Sequence, residues 1–260
     1  MCPRDDVTAV YGTLDHTMVR VADLDESLSW YEDHLGYEEH GRVEADEYTL
    51  VYLGPPDAGP EEATVELTYN HDGRTYELGD AWGHLAVRVR DVYDAYDELL
   101  TGGVEDYRDP DSCGGNYAFV RDPDGHEIEL VERDGGARYG LDHTMIRVES
   151  ADRAIGWYVR KLGYELHRRA EYDDFSLYFL APPDAGPGAM SIELTENHDD
   201  STYDVGDAWG HLAVRVDDLD AAWDRLRTRR AADYRDPASC GGQYAFTKDA
   251  DGHEIELLPV

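Results

Sequence analysis

Apolar and polar residues alternate through LDHTMVRV near the start of the chain, and the period then changes. Over DLDESLSWYEDHLGY the apolar residues Leu24, Leu28, Tyr31 and Leu35 fall three and four apart, and Gly36 follows them. This spacing predicts a strand that leads into a helix ending at the glycine. YTLVYLG and TVELTYN, around a PPDAGP turn, belong to the two or three strands expected next. A second unit opens with the strand pattern WGHLAVRV, continues with a helix over Val92, Tyr96 and Leu99, and stops at Gly102 and Gly103. It closes with NYAFVRD and HEIELVE, separated by the turn signal DPDG. The order strand, helix, strands therefore occurs twice, and from LDHTMIRV onward the whole succession begins again.

The second succession repeats words as well as pattern. VELTYNH returns as IELTENH, GDAWGHLAVRV occurs twice, SCGGNYAF returns as SCGGQYAF, and GHEIELV as GHEIELL. The chain thus divides into an extension (1–10), a first half (11–133), a linker (134–137) and a second half (138–260). Inside the repeated words, His16, Glu66, His84 and Glu129 recur as His143, Glu193, His211 and Glu256, each 127 positions on. A duplicated packing core keeps its apolar pattern and glycines; it has no need to repeat two imidazoles and two carboxylates within strands. Side chains at i, i+2 and i+4 share a strand face. His16 therefore points with Met18 and Arg20, Glu66 with Thr68 and Asn70, His84 with Ala86 and Arg88, and Glu129 with Glu127 and Val131. Two neutral imidazoles and two carboxylates suit a divalent ion such as nickel, cobalt, zinc or iron, and are too nitrogen-rich for calcium. An octahedral ion so held keeps two positions for substrate oxygens or water.

Charge narrows the partners. The 58 acidic residues outnumber the 23 basic ones, the formal charge is -35, and only Lys161 and Lys248 are lysines. Such a surface opposes nucleic acid and anionic membrane. Its self-repulsion is relieved in concentrated salt, where the Debye length falls to about 3 Å at 1 M, and the composition resembles that of proteins from salt-in halophiles. Cys2, Cys113 and Cys240 give no even disulfide framework, which fits a reducing cytoplasm. No run approaches the ~18 apolar residues of a membrane span, and MCPRDDVTAV has no apolar signal core. A soluble cytoplasmic protein is expected.

HTMVRV, ELTYN, YELGDAWGH and DPDGHEIEL together resemble glyoxalase I, the metal-dependent lactoylglutathione lyase of the vicinal-oxygen-chelate superfamily, across nearly the whole chain. The resemblance implies an α+β fold of four βαβββ modules whose curved sheets form metal-holding cups. It implies that His16, Glu66, His84, Glu129 and their four counterparts are ligands. It further implies crossed centres, as in homodimeric relatives: His16, Glu66, His211 and Glu256 in one, His143, Glu193, His84 and Glu129 in the other. The implied reaction turns the hemithioacetal of methylglyoxal and a thiol into the S-D-lactoyl thioester. Glu129 and Glu256 would be the bases that carry the proton from C1 to C2, with Glu66 and Glu193 assisting. A pseudo-twofold monomer needs no partner beyond this small-molecule substrate.

The short segments PPDAGPEEA and HDGRTYELGDAW resemble the class that prefers nickel or cobalt over zinc. Arg20, Asn70, Arg147 and Asn197 match positions that hold a γ-glutamyl group in the family. The loop that carries a lysine for the glycyl carboxylate in several relatives is here DSCGGNYAF and ASCGGQYAF, without lysine. Charge-assisted contacts would be lost, which points to γ-glutamylcysteine in place of glutathione. His126 and His253 fall on the strand face opposite the ligand Glu and are read as non-ligands. Cys113 and Cys240 read as small loop residues, and Trp82 and Trp209 either wall the substrate cup or anchor the sheet. The halves differ at Tyr69/Glu196, Gly73/Asp200 and Pro123/Ala250. Other readings are an extradiol dioxygenase, which shares the fold but uses two His and one Glu on iron, an acyl-thioester epimerase, and a non-enzymatic protein that sequesters small molecules and needs no ligand set.

Overall fold

The computed structural model describes residues 12–59, 62–186, 188–199 and 201–260. The extension with Cys2, and Asp200, lie outside the described residues. The first module comprises β1 (Thr13–Arg20), α1 (Leu24–Leu35), β2 (Glu38–Glu44), β3 (Tyr48–Gly54) and β4 (Thr64–Asn70). The second comprises β5 (Trp82–Val89), α2 (Val92–Thr101), β6 (Tyr117–Arg121) and β7 (Glu127–Glu132). The third has β8 (Leu141–Arg147), α3 (Ala151–Trp157), β9 (Glu165–Glu171), β10 (Phe175–Ala181) and β11 (Ser191–Asn197). The fourth has β12 (Trp209–Val216), α4 (Leu219–Thr228), β13 (Ala245–Lys248) and β14 (Glu254–Pro259). In the second and fourth modules the strand after the helix is abbreviated to a single bridge, Arg108 with Phe119 and Arg235 with Phe246.

Local chemistry sets the helix ends. The Asp23 carboxylate accepts from the Glu26 amide at 3.1 Å, and Gly36 ends α1 at φ 66°, a left-handed position that glycine adopts without a Cβ penalty. In the second half Ser150 makes no side-chain cap to α3. Glu196, which stands where the first half has Tyr69, accepts from the Ala151 amide at 2.8 Å instead. That substitution moves the cap to a neighbouring strand.

The strands form two seven-stranded mixed sheets, ordered β13-β14-β12-β1-β4-β3-β2 and β6-β7-β5-β8-β11-β10-β9. Each sheet joins strands from both halves: modules one and four share the first sheet, modules two and three the second. The joins are antiparallel, β1 against β12 and β5 against β8. Next to each join lies a parallel pair, such as β1 with β4 or β5 with β7, which requires a crossover that the helices supply.

Buried Trp82 and Trp209 stack between the sheets, ring centroids 6.4 Å apart and 5° from parallel. Their indole N–H groups donate to Thr144 and Thr17 at 2.9 and 3.1 Å. Both tryptophans therefore anchor the sheets.

Within each half, the first module's helix docks on the second module's DxDG turn. Tyr31 donates to Asp122 at 3.2 Å, and Tyr158 to Asp249 at 3.0 Å. Asp122 also accepts from the His126 ring at 2.8 Å and from the amides of Asp124 and His126. Asp122→Ala strands all four donors, so a loss of about 3 kcal/mol is expected in urea unfolding.

Candidate metal centres

Four adjacent strands each present one side chain to one spot. In the first sheet β14, β12, β1 and β4 bring Glu256, His211, His16 and Glu66 together; in the second, β7, β5, β8 and β11 bring Glu129, His84, His143 and Glu193. The register explains the meeting: Met18 lies opposite both His211 and Glu66, and Met145 opposite both His84 and Glu193. His16 Nε2 is 3.0 Å from His211 Nε2, 3.2 Å from Glu66 Oε2 and 3.4 Å from Glu256 Oε2. His143 Nε2 is 3.2 Å from His84 Nε2 and 3.0 Å from Oε2 of both Glu129 and Glu193. All eight residues are buried, at 0–8 % exposure.

This donor set fits a divalent cation. Two imidazole nitrogens and one carboxylate oxygen lie within 4.8 Å of one another in each centre, from His16, His211 and Glu256 in one and His84, His143 and Glu129 in the other, and Glu66 and Glu193 join them through His16 and His143. Glu129 Oε2 is buried with no hydrogen-bond partner although two imidazoles lie within 3.3 Å. An acceptor so placed, aimed at the middle of the cluster, is what a cation would satisfy. The histidines are oriented from behind. His16 Nδ1 lies 3.2 Å from Asp15 and His143 Nδ1 2.9 Å from Asp142, and those carboxylates are in turn held by Arg215 and Arg88. Such a partner fixes the tautomer that offers Nε2 outward.

Asp15 and Asp142 escaped the strand-face reading because adjacent residues should face opposite ways. The register slips between Leu14 and His16, and at the matching place between the partners of Leu141 and His143. A bulge of this kind turns the extra residue, and the repeated word LDH was its trace in the sequence.

Without metal, the clusters hold protons tightly. Burial opposes the charged form of His16, but hydrogen bonds to Asp15, Glu256 and Glu66 outweigh it and raise the imidazole well above its usual value. His143 is raised likewise against burial, chiefly by the Glu193 charge and the Asp142 hydrogen bond. Burial tends to raise Glu66, but the His16 contact overrides it and brings the carboxyl down to about 2. The depressed carboxylate contributes stability above the ordinary carboxylate range and loses it as pH falls through about 2. The raised imidazoles contribute below their ordinary value and lose it as pH rises through the folded one. A cation competes with these protons for Nε2, so the Tm gain from added metal is expected to be larger at about pH 8 than at about pH 5.5. Differential scanning fluorimetry with and without chelator reads this directly.

Above the second centre lies a cavity of about 620 Å³, lined by its four ligands together with Arg147 and Asn197. Arg147 Nη1 donates to the Asp80 carbonyl at 2.7 Å, and Asn197 donates to the Tyr203 hydroxyl at 2.9 Å. Asn70 likewise donates to Tyr76 at 2.7 Å, while Arg20 borders a separate cleft of about 420 Å³. Cys113 and Cys240 sit in short turns and do not line the cavity. His126 and His253 are buried on their own aspartates, away from the ligands.

Sequence reading also missed the cavity's cations. Arg108 and Arg168 line it beside Arg147. The missing loop lysine therefore does not leave the cavity without positive charge, and its absence is no ground for preferring γ-glutamylcysteine to glutathione.

The model of the Glyoxalase/Bleomycin resistance protein/Dioxygenase superfamily matches residues 13–130 and 140–257. The chain belongs to the glyoxalase superfamily. Among relatives of this glyoxalase-superfamily chain, a lactoylglutathione lyase of Arabidopsis thaliana is 32% identical over 78% of this chain and 74% of its own length. A probable chloroplastic lactoylglutathione lyase of the same plant is 33% identical, with 78% of this chain spanning 59% of that protein. Among solved structures, glyoxalase I from Zea mays superposes with a TM-score of 0.84 at 27% identity, covering 95% of this chain and 92% of that one. The fold is thus the α+β glyoxalase fold with a duplicated domain. No helix among the described residues is long and apolar enough to cross a membrane.

Proposed function

We propose that this chain isomerises the hemithioacetal of methylglyoxal and a γ-glutamyl thiol to the S-D-lactoyl thioester. The observation that carries the reading is the pair of buried clusters of two His and one Glu, each with a further Glu against one of its histidines, one of them under a cavity of about 620 Å³. Similarity to lactoylglutathione lyases supports the same reaction. His16, Glu66, His211 and Glu256 would hold one divalent ion, and His143, Glu193, His84 and Glu129 the other. When bound, such an ion supplies Lewis-acid polarisation of the substrate's hydroxyl and carbonyl oxygens.

The protein's own part is proton transfer. No hydroxyl donates to Glu129 or Glu256 among the described residues, so either carboxylate would be able to swing and carry the proton from C1 to C2. Glu66 and Glu193 are tethered by the hydroxyls of Thr68 and Thr195, at 2.8 and 3.2 Å. A tethered carboxylate suits a fixed ligand that assists, and an untethered one suits the base. Arg147 and Asn197, with Arg20 and Asn70 for the other centre, would hold the γ-glutamyl end.

Nickel or cobalt in preference to zinc, a halophilic cytoplasmic setting and a monomer with pseudo-twofold symmetry complete the proposal. The test is thioester formation by chelator-stripped protein in molar KCl, reloaded with nickel, cobalt or zinc, on methylglyoxal with γ-glutamylcysteine or glutathione. Metal-dependent thioester supports the reading, and the ratio of kcat/KM values chooses the thiol. Metal uptake with no thioester from either would overturn it.

A further inference from the structure

The two centres are copies in their ligands but not in what surrounds them. In the second centre, Phe119 stands edge-on to His84 at 5.3 Å and Phe179 edge-on to His143 at 5.4 Å. Each ring carries an arginine: Arg108 lies 4.3 Å above Phe119, and Arg168 lies 3.6 Å above Phe179. In the first centre, Phe246 meets His211 at 5.2 Å with Arg235 above it at 5.1 Å. The other ring there is Tyr52, 5.3 Å from His16, and its cross-strand neighbour is Gly41, whereas that of Phe179 is Arg168. Among the described residues, one free cation is therefore missing from the first centre; Arg133 also lines the second cavity and has Val260 as its counterpart, but it is taken by Asp142 at 3.6 Å.

Among the described residues, neither Arg108 nor Arg168 has a carboxylate within 4.0 Å, although acidic residues outnumber basic ones 58 to 23. Four glutamates also line the cavity. Glu129 and Glu193 face the metal centre, Glu127 is taken by Arg121 at 3.2 Å and the Tyr107 hydroxyl at 2.6 Å, and Glu132 is exposed at the end of β7. A guanidinium stacked on an aromatic ring is pre-organised with its donors free, and it matches a carboxylate in a paired geometry.

We propose that Arg168 makes the centres unequal: the one containing His143 grips a thiol adduct by a second carboxylate, and the one containing His16, with Gly41 in that place, does not. The identity of the ligand, a carboxylate-bearing thiol, rests on the reaction proposed above; the inequality rests on geometry alone. Gly41 has room for the reverse change. A Cβ there would lie 3.5 Å from the Tyr52 ring, an ordinary contact, with no left-handed backbone to strain it.

The test is calorimetric titration of the full, metal-loaded chain with S-methylglutathione and S-methyl-γ-glutamylcysteine. Each is run beside the monoethyl ester of its C-terminal carboxylate. Wild type is expected to bind the free acid in two phases about tenfold apart in Kd, and the ester without the tighter phase. Arg168→Gly should merge the phases for the acid, and Gly41→Arg should convert the weaker phase into a second tight one. Equal phases in wild type, a tight phase that survives Arg168→Gly, or no gain from Gly41→Arg in a folded protein would overturn the proposal. Because these thioethers do not react, absent turnover with the asymmetry intact would count against the reaction only.

Discussion

Glu129→Gln combined with Glu256→Gln in one chain is expected to lower thioester formation by about 10³-fold or more, within the usual range for loss of a positioned base. The carboxylates are near-isosteric with the amides, so the strands and the histidine contacts stay in place while each centre loses its proposed proton carrier. In the free chain both carboxyls are held below their usual range: burial pushes them up, and the neighbouring histidines pull them further down. An amide offers neither that charge nor basicity. Either single substitution leaves one centre intact and is expected to retain a substantial part of the rate. Initial rates, with bound metal counted by plasma mass spectrometry, separate loss of the base from loss of the ion. A double variant that turns over at the wild-type rate would remove both residues from the proposed mechanism.

Trp209→Ala is expected to cost about 3–5 kcal/mol of folding stability, as large aromatic truncations in packed cores do. The ring is 1 % exposed, stacks on Trp82, and meets His253 edge-on at 5.8 Å. Removing it opens a cavity at the contact between sheets and leaves the Thr17 hydroxyl without its indole donor. Trp82→Ala should cost a similar amount, and the two together should cost less than their sum, because each single change already destroys the stack. Urea unfolding of the two single variants and the double reads all three values. A loss below about 1 kcal/mol for either single change would show that the stack does not hold the sheets.

Local physics made much of this molecule legible from sequence. Periods of two and 3.6 set the strands and helices, so Leu24 through Leu35 and the capping glycine Gly36 appear where the pattern put them. The doubled words exposed eight candidate ligands, because a strand position that repeats an imidazole or carboxylate has no packing reason to do so. His126 and His253 were separable from them by strand parity alone.

Partnership is where sequence ran out. The two copies carry the same ligand types, so closing each half on itself and crossing the halves satisfy the same local rules. Resemblance to dimeric relatives suggested the crossed form. In the structure β1 lies against β12, His16 reaching His211 across 195 residues, and β5 lies against β8. Only the tertiary packing decides this, through contacts of high sequence separation whose energies no local pattern encodes. The bulges that aim Asp15 and Asp142 are likewise set by strand pairing. Arg168 and Gly41 were both readable as letters, yet their meaning depends on the ring each lies across from. The sequence by itself determined which side chains were available to bind a cation; the pairing of distant strands decided which four meet, and what stands around them.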